Sequence, residues 1–327
     1  MKKWKRTIRR LLHRPTPWVA PVRANVVRSG DLDLSIVVIC YEMDEQVGNT
    51  VRTLVPPYQV GVNPLRYEVL VVDNGSKEPL DAAVWNLSPN VVYRHIPKGQ
   101  ASVHPGVAIN EAVAKSRGKY VCVMIDGARM VTPGAVSRGL ELVKMLPRGI
   151  VDVRSWHLGP KLQMESVQEG YSRDVERGLL AQVNWPQRGY GLFEVATAAA
   201  SCPGGFYGRA KESNCLFMSR EYFDELGGYD ERYKTPGGGL ANIDFFWRAV
   251  SGAERIFTVL GEGTFHQLHG GASTGQTKAD VKEAYRRWRD EYEMLSRPHD
   301  GKPPKYESIL AGHLPVEAKR WMARGLS

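Results

Sequence analysis

From Leu34 to Cys40 every residue except Ser35 is apolar or a thiol, and most are β-branched. A run that short and that uniform predicts a strand covered on both faces. Helix-compatible residues from Met43 to Leu54 follow and stop at Pro56-Pro57. The alternation then repeats. Strands are predicted at Tyr67–Val72, Val91–Ile96, Tyr120–Ile125 and Ile150–Ser155. Between them lie helical stretches at Leu80–Leu87, from Pro105 to Gly118, and at Ala135–Met145. This order predicts an α/β fold with a mostly parallel, doubly wound sheet flanked by helices.

The second half is less regular. Residues 161–185 read as one helix and a loop, and the glycine-rich stretch 200–213 as a mobile segment. A strand at Asn214–Met218, helices at Tyr222–Leu226 and Asn242–Val250, and strands at Arg255–Leu260 and Gly263–His266 follow. Lys278–Leu295 is charged and amphipathic, which predicts a helix in a C-terminal tail. The expected division is a basic segment and linker over 1–33, one domain over 34–276, and a helical extension over 277–327.

Composition narrows the class. With 43% hydrophobic and 24% charged residues among 327, the chain reads as a globular protein, not a disordered one. Four scattered cysteines, Cys40, Cys122, Cys202 and Cys215, exclude a disulfide framework and show no CxxC spacing, so buried thiols in a reducing cytoplasm are expected. There is no spanning apolar run and no secretory pattern. The net charge of +9 is concentrated in Lys2, Lys3, Lys5, Arg6, Arg9, Arg10 and Arg14, with Trp4, Ile8, Leu11 and Leu12 at helical spacing among them. Residues 1–14 therefore suit either the surface of an anionic membrane or a solvated basic arm. No specific nucleic-acid motif accompanies the charge, and no GxGxxG follows the first strand.

Candidate chemistry sits at strand ends. The run Tyr67–Val72 stops at Asp73-Asn74-Gly75-Ser76, and the Tyr120–Ile125 run at Asp126. A carboxylate there can make an Asx-turn, accept from a base or ribose, or ligate a cation. In doubly wound sheets the carboxyl ends of the strands are where ligands bind.

Together Leu34–Cys40, Val69–Ser76 and Gly118–Asp126 resemble glycosyltransferase family 2, as do Asn214–Arg220 and Leu226–Glu231 farther on. The resemblance runs over residues 34–270 and implies the GT-A fold, with a nucleotide-binding half over 34–156 and an acceptor half over 157–276. It implies transfer of a sugar, with inversion, from a nucleotide-diphosphate-sugar (UDP-, GDP- or dTDP-linked) to a glycan or lipid-linked acceptor. A bacterial cell-envelope polysaccharide, made on the cytoplasmic face of the inner membrane, fits that class. Donor contacts are implied for Tyr41, Asp73, Asn110, Asp126 and Arg129.

A divalent cation, Mn²⁺ or Mg²⁺, is implied at Asp126 with His266, although His269 also stands in Phe265-His266-Gln267-Leu268-His269. Two positions depart from the family pattern. Ala128 replaces the second Asp of Asp-x-Asp, and Arg129 beside it could pair with phosphate or with a carboxylate. Asn242 stands where the base is expected, which leaves Asp244 as the candidate base. These two departures also admit a catalytically weak or inactive donor-binding partner of another transferase.

Overall fold

In a computed structural model, residues 31–270, 278–295 and 303–321 are described. The basic stretch 1–14, with its expected membrane contact, lies outside the described residues. β1 (Leu32–Cys40) leads to α1 (Asp44–Leu54), β2 (Tyr67–Asn74) to α2 (Ala82–Trp85), and β3 (Val91–Ile96) to α3 (Pro105–Lys115). β4 (Gly118–Met124) and β5 (Arg129–Val131) precede α4 (Ala135–Val143) and β6 (Gly149–Leu158). Then come α5 (Gln163–Gln168), α6 (Arg173–Val183), β7 (Ala196–Ala198), β8 (Leu216–Ser219) and α7 (Arg220–Glu225). The chain continues with α8 (Ala241–Gly252), β9 (Arg255–His266), α9 (Lys278–Met294) and β10 (Ile309–Gly312).

The main sheet runs β10-β9-β6-β8-β4-β1-β2-β3. Its strands are parallel except β8, which runs against both β4 and β6. Side chains alternate along each strand, so β1 feeds two cores. Val37 and Ile39 join Val72, Val121 and Val123 beneath α3, α7 and α8. Leu34, Ile36 and Val38 join Val69, Val71 and Met124 beneath α1 and α4. Each fully buried aliphatic side chain of this kind stabilises the fold by about 1.5–3 kcal/mol relative to exposure.

The chain leaves β1 for β2 and β3 on one side and returns to pair β4 on the other. In doubly wound sheets such a reversal is where ligands bind, here at the carboxyl ends of β1 and β4.

Details of the second half differ from the sequence expectation. Residues 161–185 form two helices, α5 and α6, split at Gly170. The two strands expected between Arg255 and His266 are one, β9, which passes through Gly261 in the left-handed region. The stretch 200–213 is anchored, because Phe206 is buried with its ring 4.8 Å from Trp156 and 5.8 Å from Phe193. All four cysteines are buried and free. No helix among the described residues is long and apolar enough to cross a membrane.

Candidate donor and metal site

Tyr41, Asp73 and Asp126 lie on one rim. Cys40 at the end of β1 is in register with Asp73 of β2, and Val38 with Met124, two residues before Asp126. Asp126 reaches its place through a tight passage. A side chain at Gly127 would meet Cys40 Cβ and the Ile39 carbonyl, each at 2.8 Å. Only glycine lets β4 leave the sheet so close beneath β1. Tyr41 is 50% exposed at the mouth, whereas Asp73 is fully buried. Asp73 Oδ1 accepts from the Ser76 amide (3.1 Å) and Oδ2 from the Tyr93 hydroxyl (3.0 Å).

Around Asp126 a second cluster forms. β5 pairs with β9 so that Arg129 is opposite His266. His266 Nε2 lies 2.8 Å from Asp126 Oδ2, and His269 Nε2 lies 3.7 Å from Oδ1. The two Nε2 atoms are 3.1 Å apart. Arg129 Nε is 3.3 Å from Asp126 Oδ2, and its Nη1 donates to Ser155 Oγ at 2.7 Å. Arg129 is thus the carboxylate's partner, one of the two roles left open by the sequence. The loop carrying the histidines is clamped from two helices. Gln46 Nε2 of α1 donates to the Leu268 carbonyl (2.8 Å), and the Leu268 amide donates to Glu176 of α6 (2.9 Å).

Protonation follows from burial. Desolvation pushes the His266 ring down to about 4 despite the adjacent Asp126. Burial alone would raise the Asp126 carboxyl, but His266 and Arg129 beside it outweigh that and hold it well below the usual carboxylate range. His266 Nδ1 meets Gln163 Oε1 at 2.6 Å, which fixes the ring with Nε2 toward Asp126 and His269. One carboxylate and two imidazole nitrogens, all within 4.8 Å, match the donor chemistry of Mn²⁺. The residues present therefore fit a divalent cation.

Gln163 was not legible in the sequence. It lies 103 residues from His266, and its role as the group that orients the ring comes only from the fold.

Two expected residues sit elsewhere. Asn110 is 1% exposed, and its side chain donates to the Tyr229 carbonyl and Glu231 Oε1 (2.8 Å each) while accepting from the Tyr229 amide (2.9 Å). Instead of joining Asp73 and Asp126, it fastens α3 to the turn 227–231. Gly228 there has a φ of +67°, and a side chain on it would strike Asn110 Oδ1. Asp244 is 2% exposed, and its Oδ2 accepts from Arg248 Nε at 3.0 Å. Arg248 in turn donates to the Leu226 (2.7 Å) and Gly228 (2.9 Å) carbonyls. As placed, Asp244 anchors this same turn.

Glu176 makes the clamp sensitive to pH. Burial raises its carboxyl from the usual 4.5 to about 7, even with the Leu268 amide and Tyr171 hydroxyl donating to it. The folded state therefore holds a proton that the unfolded chain has lost. This contribution to stability is complete below 4.5 and disappears as pH rises through about 7. Glu176→Gln is expected to flatten the fall in melting temperature between about pH 5 and 8 by several degrees, measured by calorimetry without divalent cations. A variant with the wild-type slope would assign that fall to other groups.

A cavity of about 670 Å³ opens between α5, α6 and Trp321, lined by Tyr171, Glu194 and Thr197 among others. None of Asp73, Asp126 or His266 lines it.

Residues 35–178 match the family model of glycosyl transferase family 2. The fold is similar to that of S. aureus TarS 1-349 in complex with UDP-GlcNAc, with a TM-score of 0.50 and 13% identity over 80% of this chain and 66% of that one. Another crystal structure of S. aureus TarS gives a TM-score of 0.49 at 11% identity over 81% and 44%. Among curated proteins, the chain is 26% identical to uncharacterized protein y4gI of Sinorhizobium fredii (strain NBRC 101917 / NGR234), over 75% of this chain. It spans only 26% of that relative's length.

Proposed function

For a chain that carries a glycosyltransferase family 2 domain over residues 35–178, on a GT-A type fold, we propose transfer of a sugar from a UDP-sugar donor, with inversion and with a divalent cation. One observation carries the reading. Asp126, ending β4, meets His266 and His269 from the end of β9 at the rim where Tyr41 and Asp73 also lie. That S. aureus TarS 1-349 was crystallised with UDP-GlcNAc motivates the choice of nucleotide.

In this reading the uracil lies beside Tyr41 and Asp73, and the diphosphate lies over Asp126, His266 and His269. A cation held by those three would neutralise charge on the departing diphosphate. His266 and Arg129 hold the Asp126 carboxyl low, and Gln163 keeps the His266 ring oriented toward the same point. The base is a carboxylate of the acceptor half, and α8 gathers two candidates, Asp244 and Glu212. The acceptor is a glycan or lipid-linked glycan. The basic residues 1–14 would hold the protein on the cytoplasmic face of an anionic membrane.

Titration calorimetry with UDP-GlcNAc, UDP-glucose and UDP, each with and without Mn²⁺, tests the donor site. Binding that requires Mn²⁺, with slow UDP release, is expected. Binding without any UDP release would favour a non-catalytic partner. No binding of any nucleotide-sugar would remove the reading.

A further inference from the structure

Sugar transfer requires a group that takes the acceptor's proton, so the identity of that group rests on the transferase reading. Near the acceptor-side rim the structure locks two carboxylates away. Asp230 is fully buried and accepts from Arg232 (2.8 Å), and Asp244 is held by Arg248. Glu212 differs: it is half-buried and forms no ion pair with a described residue.

Strand register locates it. β8 runs against β4 with Leu216 opposite Val123. Because the two strands are antiparallel, the segment that enters β8, with Glu212 four residues before Leu216, approaches from the carboxyl end of β4, the end that leads to Asp126. Burial agrees with this placement, since Ser213 and Asn214 are covered whereas Glu212 is partly open to solvent.

The side chain is also held. Asn242 Nδ2, in the first turn of α8, donates to Glu212 Oε2 and to the Ser213 carbonyl at 3.1 Å each. Tyr229 Oη donates to Asn242 Oδ1 at 3.2 Å, which orients the amide. On the other side Trp247 Nε1 donates to the Lys211 carbonyl at 2.9 Å. The chain is therefore pinned on both sides of Glu212, and one carboxylate oxygen is fixed while the other has no described hydrogen bond. An amide cannot accept a proton at neutral pH but can aim a carboxylate that does.

We propose that Glu212 is the catalytic base of the transfer and Asn242 its positioning residue. As the acceptor oxygen bonds to the anomeric carbon, its O–H bond breaks and the proton passes to the Glu212 carboxylate. The bond from the anomeric carbon to the diphosphate breaks at the same time, and its electron pair leaves with UDP. With water as acceptor the same step gives donor hydrolysis, which can be followed before the natural acceptor is known.

The test uses the full chain with UDP-GlcNAc and Mn²⁺. Glu212→Gln keeps an acceptor for the Asn242 amide and is expected to release UDP at least about 100-fold more slowly, with UDP affinity within about twofold of wild type. Glu212→Ala should regain part of its rate with added formate, a small carboxylate able to occupy the vacated space. A merely structural role would show no such rescue. Glu212→Gln with wild-type UDP release overturns the assignment, as does a slow Glu212→Ala that formate leaves unchanged. A slow Asp244→Asn beside an unaffected Glu212→Gln moves the base to Asp244. Wild-type protein that binds UDP-GlcNAc without releasing UDP defeats the transferase reading itself, which separates that failure from this one.

Discussion

Asp126→Ala is expected to lower Mn²⁺ affinity by at least about 100-fold and to abolish Mn²⁺-dependent UDP binding, with the fold retained. The magnitude follows from what the carboxylate does. It is the only anion in the described Asp-His-His cluster, and both imidazoles direct nitrogen toward it. Without it, two imidazole rings and the buried Arg129 guanidinium would face an approaching cation, so one ligand is lost and a repulsive charge is exposed. His266→Ala should act in the same direction with a smaller loss, since Asp126 and His269 remain. Calorimetry with Mn²⁺ alone and then with UDP, together with circular dichroism, checks both variants. Wild-type UDP binding by Asp126→Ala would place the diphosphate elsewhere.

Arg154→Leu is expected to destabilise the protein by about 3–5 kcal/mol. Asp152 and Arg154 are two apart on β6, so their side chains emerge on the same face of the sheet. They pair at 3.0 Å with only 2% and 1% exposure. Arg154 Nη2 also donates to Thr258 Oγ1 (3.0 Å), whose hydroxyl donates to Ser308 Oγ (3.1 Å), tying the C-terminal segment to β9. Leucine would fill the volume but leave a carboxylate 2% exposed with its cation gone. Burial already raises the Asp152 carboxyl against the pull of Arg154, and without that pull it would take up a proton at a cost to stability. Denaturant unfolding measures the loss. The double variant Asp152→Leu/Arg154→Leu should recover most of it, because no charge is then left unpaired. A single-variant loss below about 1 kcal/mol would mean that water reaches Asp152.

The α/β alternation, the buried character of β1, β2 and β4, and the convergence of Asp73 and Asp126 on one rim were all legible in the chain itself. Each depends on local pattern, because strand burial appears as uninterrupted apolar runs and strand ends as Asp-Gly turns. A parallel sheet then brings such ends together whatever lies between them. The order of the sheet, with β8 reversed between β4 and β6, decided much of the remainder. It brings the segment entering β8 in from the carboxyl end of β4, and the pairing of β5 with β9 sets His266 beside Arg129 and Asp126. Gln163 on His266, Asn110 on Tyr229 and Arg248 on Asp244 became assignable only once helices were packed. Hydrogen bonds and ion pairs act over a few ångströms in space and impose no periodicity on the sequence between partners, so the strand ends could be read and the residues that meet there could not.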